Sequence, residues 1–290
     1  MPFIEAGLEN SGGIGIYYED NSTGRPVVLI HGWPLSVQSW ERQVTVLLEA
    51  GDRVLTYDRR GFGDSDRPAA GYDYDTLADD LYCLMTDLDL CNVVLIGFSM
   101  GTGEVARYQK AHGSDRVDGA VFIATFPPFL LKTRDNPEGV DGAVFDEIRR
   151  AIVNDRPAYL TRFFEDFSNL DVWGGSRISE EVVRLSRGVA AGASPIGTLA
   201  CVGTWMTDFR DDLAGIDVPV LVIHGEEDRI MPIKATGARL HEALDGSRYV
   251  VVKEGPHGLC WTHPDEVNRA LLEFLAECGP AEMPPVASPR

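Results

Sequence analysis

Three residues in this sequence are of the types that together turn a hydroxyl into a nucleophile: Ser99, Asp228 and His257. Ser99 stands at the centre of Gly97-Phe98-Ser99-Met100-Gly101, directly after the apolar run Val93-Val94-Leu95-Ile96 and ahead of a helix-like pattern that continues to Lys110. A bare Gly-x-Ser-x-Gly recurs by chance. A buried strand before it and a helix after it describe something narrower, a nucleophile elbow that lifts one serine above a sheet edge. Glycines two before and two after the serine are what the sterics of such a turn ask for. The following helix aims its first N–H groups back at the serine, where negative charge develops in acyl transfer. A serine is a poor nucleophile until a base takes its proton, and the base needs an acid behind it to fix its tautomer.

Catalytic groups in parallel sheets gather at the carboxyl ends of strands, so the partners of Ser99 are sought there. His257 lies in Gly255-Pro256-His257-Gly258, just after the strand-like Tyr249-Val250-Val251-Val252. His112 and His241 fall in or at the ends of surface helices and His263 just precedes one. His31 and His224 stand at strand ends, placed to shape the site without acting as base. Asp228 follows the run Val218 to Ile223, with Glu226 and Glu227 as its rivals, while the strand ending at Thr125 offers no carboxylate. The chain order Ser, Asp, His is that of an α/β-hydrolase. An oxyanion hole needs two backbone donors aimed at one point. Met100 N–H, next to the nucleophile, is one candidate, and Trp33 N–H, in the loop after Val27-Val28-Leu29-Ile30, is the other. Only the backbone of Trp33 is needed for that, so its indole is expected to wall the acyl pocket. Pro34 keeps Trp33 out of helical φ/ψ and stiffens the loop. Phe126, Phe164, Trp205 and Ile230 complete the candidate pocket, although core packing would account for them as well.

The elements that must carry these residues alternate. Ile14 to Glu19 reads as an antiparallel edge strand and Val27 to Ile30 as a strand covered on both faces, with a helix from about Gln38 to Glu49. Val54 to Tyr57, the elbow strand, Val117 to Thr125, Val218 to Ile223 and Tyr249 to Val252 are further strands. Helices are expected over Tyr74 to Leu88, Lys234 to Leu244 and Pro264 to Glu277. This alternation predicts right-handed βαβ units and a mostly parallel central sheet flanked by helices. From Phe126-Pro127-Pro128-Phe129 to about Asp212 the pattern is helical and rich in aromatics. It reads as a helical cap (127–212) inserted between two parts of an α/β core (1–126 and 213–278), the alternative being extra helices on the outside. The tail 279–290 carries four prolines and is expected to be disordered.

With 290 residues, 44% of them apolar, the chain can bury a large core. A net charge of −19, from 26 basic and 45 scattered acidic residues, argues against nucleic acid or an anionic membrane surface as partner. The first residues lack a basic and then an apolar region, and no apolar run is long enough to span a bilayer, so a cytoplasmic protein is expected. The five cysteines are odd in number, far apart and never in a C-x-x-C pair. They read as free thiols, with no disulfide framework and no zinc site. Cys260, three residues after His257, reads as a small packed side chain.

Beyond the elbow, His31-Gly32-Trp33-Pro34-Leu35, Tyr57-Asp58-Arg59-Arg60-Gly61-Phe62-Gly63, Gly97 through Tyr108 and Gly255-Pro256-His257-Gly258-Leu259 resemble the cofactor-free bacterial haloperoxidases, or perhydrolases, which share their motifs with arylesterases. Phe129-Leu130-Leu131-Lys132-Thr133 and Thr204-Trp205-Met206-Thr207-Asp208-Phe209-Arg210 extend the resemblance into the cap, so that it covers roughly residues 1–278. It implies Ser99 as nucleophile, His257 as base, Asp228 as its orienting acid, and Trp33 and Met100 as oxyanion donors, with no haem, vanadium or other metal. It also implies a short carboxylic acid or ester as acyl donor and hydrogen peroxide as the second nucleophile. The released peracid then oxidises halide. The position of Pro34 matches the haloperoxidase members and fits a site biased toward peroxide. Similar proteins assemble as trimers or larger, so a homo-oligomer is implied, though no interface pattern stands out. Competing readings are a plain carboxylesterase, a C–C bond hydrolase or hydroxynitrile lyase, and a non-catalytic receptor that binds a ligand under the cap. Dehalogenases and epoxide hydrolases of this fold use an aspartate nucleophile, which Ser99 speaks against.

Overall fold

In the computed structural model, residues 2–10 and 12–278 are described; the proline-bearing tail 279–290 lies outside them. The chain runs β1 (Phe3–Glu9), β2 (Gly12–Asn21), β3 (Pro26–Ile30), α1 (Glu41–Glu49), β4 (Arg53–Tyr57), α2 (Tyr74–Asp87), β5 (Val93–Phe98), α3 (Gly101–His112) and β6 (Val117–Ile123). Then come α4 (Gly142–Phe167), α5 (Leu170–Trp173), α6 (Glu180–Gly192), α7 (Pro195–Thr204), β7 (Val220–Gly225), α8 (Gly237–Ala243), β8 (Arg248–Val252), α9 (Leu259–Thr262) and α10 (Pro264–Glu277).

The strands form one eight-stranded sheet in the order β1-β2-β4-β3-β5-β6-β7-β8, parallel from β4 to β8 and antiparallel at β1 and β2. Every residue of β3, β5 and β7 is buried, which is why these strands read as unbroken apolar runs rather than as alternating ones. The strand order fixes where a site can form. From β3 the chain steps to β4 on one side and returns to β5 on the other, so the connections diverge and leave a crevice above the carboxyl ends of β3 and β5. The loop with Trp33 leaves β3 there, and Ser99 leaves β5 beside it.

Two expectations need correction. β2 is not an edge strand, because β1 pairs along it, with Ile4 opposite Ile16. β1 has a weak signature: only Ile4 and Ala6 face inward, and Gly7 interrupts the alternation. The helix expected from Lys234 begins at Gly237, since Ile233 to Thr236 form a turn in which Ala235 N–H donates to Pro232 O at 2.8 Å.

Between β6 and β7 the chain is helical, apart from isolated bridges such as Leu131 with Val140. α4 is in fact two helices. Asp155 leaves helical geometry (φ −158°, ψ 86°) ahead of Pro157, and its carboxylate caps the second helix by accepting from Ala158 N–H at 3.0 Å. The second half sets Tyr159 and Phe163 one turn apart on one face. Among the described residues no helix is long and apolar enough to cross a membrane.

Candidate active site

The elbow is built from steric necessity. Ser99 holds φ at 53°, a left-handed conformation costly for a residue with a side chain. Its N–H donates to Ile123 O at 2.8 Å, and its carbonyl accepts from Thr102 N at 3.0 Å and Thr102 Oγ1 at 2.6 Å. A Cβ on Gly97 would lie 2.7 Å from the Gly101 backbone, and one on Gly101 would lie 2.3 Å from Ile30 O. Real Cβ atoms cannot approach so closely. The two glycines of the motif are therefore what lets β5 turn into α3 against β3.

Three loops at the carboxyl ends of β5, β7 and β8 bring the sequence candidates together. Ser99 Oγ lies 2.8 Å from His257 Nε2, and His257 Nδ1 lies 2.7 Å from Asp228 Oδ2. All three are buried. The rings of Phe98 and Phe167 flank the imidazole at 5.4 and 5.1 Å between centroids, which limits its freedom to swing. Asp228 is held from every side: Oδ1 accepts from Ile230 N–H at 2.9 Å and Met231 N–H at 2.7 Å. Oδ2 is also 3.3 Å from His224 Nε2, which in turn lies 2.9 Å from Met231 O. Burial by itself pushes the Asp228 carboxyl up, but the charge of His257 and the hydrogen bonds from His224 and His257 outweigh it. They hold the group well below the usual carboxylate range. The rivals are elsewhere: Glu226 and Glu227 are exposed, and Glu226 accepts from Glu254 N–H at 3.1 Å. His112, His241 and His263 pair with Asp79, Ser247 and Thr262, away from the serine.

Trp33 N–H and Met100 N–H have no acceptor among the described residues. A cavity of about 260 Å³ opens above Ser99. Trp33, Phe126, Trp205 and Ile230 line it as expected. The Trp33 indole packs edge-to-face on Trp205 at 4.8 Å and on Phe163 at 5.2 Å, and its Nε1 donates to Thr198 O at 3.2 Å. The expected pocket is wrong at two places. Pro34 is buried in its loop and does not reach the cavity wall. Phe164 packs among Phe163 and Phe167, because one residue on a helix turns the side chain about 100° away from the face that Phe163 presents. Tyr159, Phe163, Phe145 and Ile148 were missed, although their i, i+3 and i, i+4 spacing on α4 is a readable signal. Arg229 and Asp166 supply the charge in an otherwise apolar lining, and Arg229 Nη1 pairs with Asp171 at 2.8 Å.

Among the described residues no group of three or more His, Cys, Asp or Glu is disposed to hold a metal ion. Cys260 is packed and buried, and burial pushes its thiol up to about 12. Chemically, the arrangement offers a hydroxyl, a base able to take its proton, a carboxylate behind that base, and two backbone N–H groups, of Trp33 and Met100, that meet no acceptor among the described residues.

The chain matches the family model described as "alpha/beta hydrolase fold" over residues 25–264. It is 60% identical over 275 residues to a Synechocystis protein provisionally named a non-heme chloroperoxidase, covering 95% of this chain and all of that one. It is 34% identical to the bifunctional esterase/perhydrolase of Acinetobacter calcoaceticus, over 91% of this chain and 96% of that one. The crystal structure of bromoperoxidase from Bacillus anthracis superposes with a TM-score of 0.91 at 48% identity, covering 95% and 99% of the two chains. Sequence, topology and relatives agree: the chain belongs to the α/β-hydrolase fold family and, within it, to the non-haem haloperoxidases.

Proposed function

We propose that this enzyme is a serine-dependent perhydrolase of the haloperoxidase type. The observation that carries the reading is the unbroken relay from Ser99 through His257 to Asp228, at 2.8 and 2.7 Å, on the floor of an apolar cavity. Asp228 keeps the His257 proton on Nδ1, leaving Nε2 to accept from Ser99. The Ser99 oxygen attacks the carbonyl carbon of a short ester or acid while its proton passes to His257 Nε2. That proton then leaves with the departing alcohol or water. Trp33 and Met100 N–H stabilise the oxyanion of the tetrahedral intermediate. Hydrogen peroxide next gives a proton to His257 and attacks the acyl carbon, releasing a peracid and restoring Ser99. The peracid oxidises bromide or chloride in solution and returns to the carboxylic acid.

In this reading residues 127–212 act as a cap, whose α4 supplies Tyr159 and Phe163 to the roof of the acyl chamber. One observation favours plain ester hydrolysis as a second reading: the chamber, about 260 Å³ with an aromatic lining, has more room than an acetyl group fills. The test is bromination of a diketone reporter in acetate buffer with peroxide, bromide and a chelator, beside Ser99→Ala. Chelator-resistant turnover lost in Ser99→Ala is the expected result. Serine-dependent cleavage of an aryl acetate without bromination would replace it with the esterase. Inactivity in both assays would sink both readings and leave a ligand-binding protein.

A further inference from the structure

His31 follows β3 and is completely buried, yet its ring takes no part in the Ser99–His257–Asp228 relay. Its partners decide its tautomer. Nε2 lies 3.0 Å from the backbone N–H of Arg59, a group that can only donate, so Nε2 carries no proton. Nδ1 lies 2.8 Å from the carbonyl oxygen of Gly32, a group that can only accept. Both contacts agree on a neutral ring with its proton on Nδ1. Burial first, and the Arg59 charge second, hold the imidazole well below its ordinary range, which keeps it in that form.

The Gly32 carbonyl and the Trp33 N–H are two ends of one planar peptide unit. A donor that grips the oxygen therefore sets the direction of the N–H on the opposite side. Leu35 N–H reaches the same oxygen at 3.0 Å, so two donors hold it. Arg59, whose backbone N–H meets the imidazole, is itself clamped and holds the His31 backbone as well. Arg59 Nη2 donates to His31 O at 2.8 Å, Arg59 Nε donates to Glu104 Oε1 at 2.6 Å, and Tyr57 Oη donates to Glu104 Oε2 at 2.6 Å, all in the buried core. The peptide sits tight against the nucleophile: a Cβ on Gly32 would lie 3.0 Å from Ser99 Cβ.

We propose that His31 is a positioning residue, whose Nδ1–H aligns the Gly32–Trp33 peptide so that Trp33 N–H points at the carbonyl oxygen of an acyl group on Ser99. This rests on the reading of Trp33 as an oxyanion donor. Removing the Nδ1 donor lets that peptide tilt. The loss is felt where charge builds on the carbonyl oxygen, while ground-state binding depends on the apolar chamber and is left intact.

The test is steady-state hydrolysis of p-nitrophenyl acetate by His31→Ala, His31→Gln and His31→Asn, with Ser99→Ala alongside. Asparagine places an N–H near the Nδ1 position, whereas glutamine reaches only toward Nε2. His31→Ala and His31→Gln are expected to lose about tenfold to a hundredfold in kcat, with KM within about threefold of wild type. His31→Asn is expected to recover most of the loss. Nitrogen NMR of the wild-type ring is expected to show the proton on Nδ1, a readout that needs no variant to fold. Wild-type kcat in His31→Ala beside an inactive Ser99→Ala would overturn the proposal alone. A folded His31→Asn as impaired as His31→Ala, or a proton on Nε2, would also overturn it. Full turnover by Ser99→Ala would overturn the underlying reading, and this proposal with it.

Discussion

Asp228→Asn isolates what the acid does, because the structure dictates which way the amide must face. Oδ1 of Asp228 accepts two backbone N–H groups, from Ile230 at 2.9 Å and Met231 at 2.7 Å, and neither donor can turn away. Putting the amide NH2 there would leave two buried N–H groups unpaired, at about 1–3 kcal/mol each. The carbonyl therefore takes that side and the NH2 faces His257 Nδ1, where Oδ2 stood at 2.7 Å. His257 must then offer a lone pair at Nδ1 and move its proton to Nε2, the atom that should accept from Ser99. The imidazole stays in place with the wrong tautomer. A loss of about 10⁴-fold in kcat is expected, equivalent to about 5.5 kcal/mol of barrier, with KM little changed. The assay is p-nitrophenyl acetate hydrolysis, with thermal unfolding to show that the variant is folded. Glu226→Gln and Glu227→Gln, at exposed positions in the same loop, should leave kcat near wild type. A loss below about tenfold in folded Asp228→Asn, or an equal loss in either glutamate variant, would refute the assignment of the acid.

Two further predictions follow from sterics and from burial. Gly101→Ala places a Cβ 2.3 Å from Ile30 O, so the elbow must shift; a destabilisation of about 2–4 kcal/mol in urea is expected. Lower kcat should accompany it, because Met100 N–H moves with the turn, and wild-type stability would contradict the close-packing argument. Asp58 is buried, and desolvation raises its carboxyl to about 6 despite hydrogen bonds from Asp64 and Val37 N–H. A raised carboxyl pKa means the folded state keeps a proton that the unfolded chain has already released, so its contribution falls as pH rises from about 4 to 6. The stability deficit of Asp58→Asn relative to wild type should therefore shrink across that window, by at most about 3 kcal/mol. A deficit that grows with pH would show the sign to be wrong.

The chemistry was legible in the residues because an elbow imposes local constraints. Gly97, Ser99 and Gly101 must recur at fixed spacing for β5 to turn into α3, and a chain read without coordinates displays that spacing. The apolar runs of β3, β5 and β7 were equally plain, since strands buried on both faces cannot alternate. Asp228 and His257 were found by their position at strand ends, which is a rule of the fold rather than a property of the two residues. β1 escaped although it pairs with the next strand along the chain, because only Ile4 and Ala6 mark it and Gly7 interrupts its alternation. The sequence by itself determined the alternating α/β architecture and narrowed the candidate relay to Ser99, His257 and one acid among Glu226, Glu227 and Asp228, through periodicity, local sterics and position at strand ends. Tertiary structure alone decided that Phe163 rather than Phe164 faces the chamber, that Pro34 lies behind the wall, and that Asp228 rather than Glu226 or Glu227 meets His257. These depend on the rotation of one helix against the sheet and on contacts between loops far apart in the chain, and no local pattern encodes either.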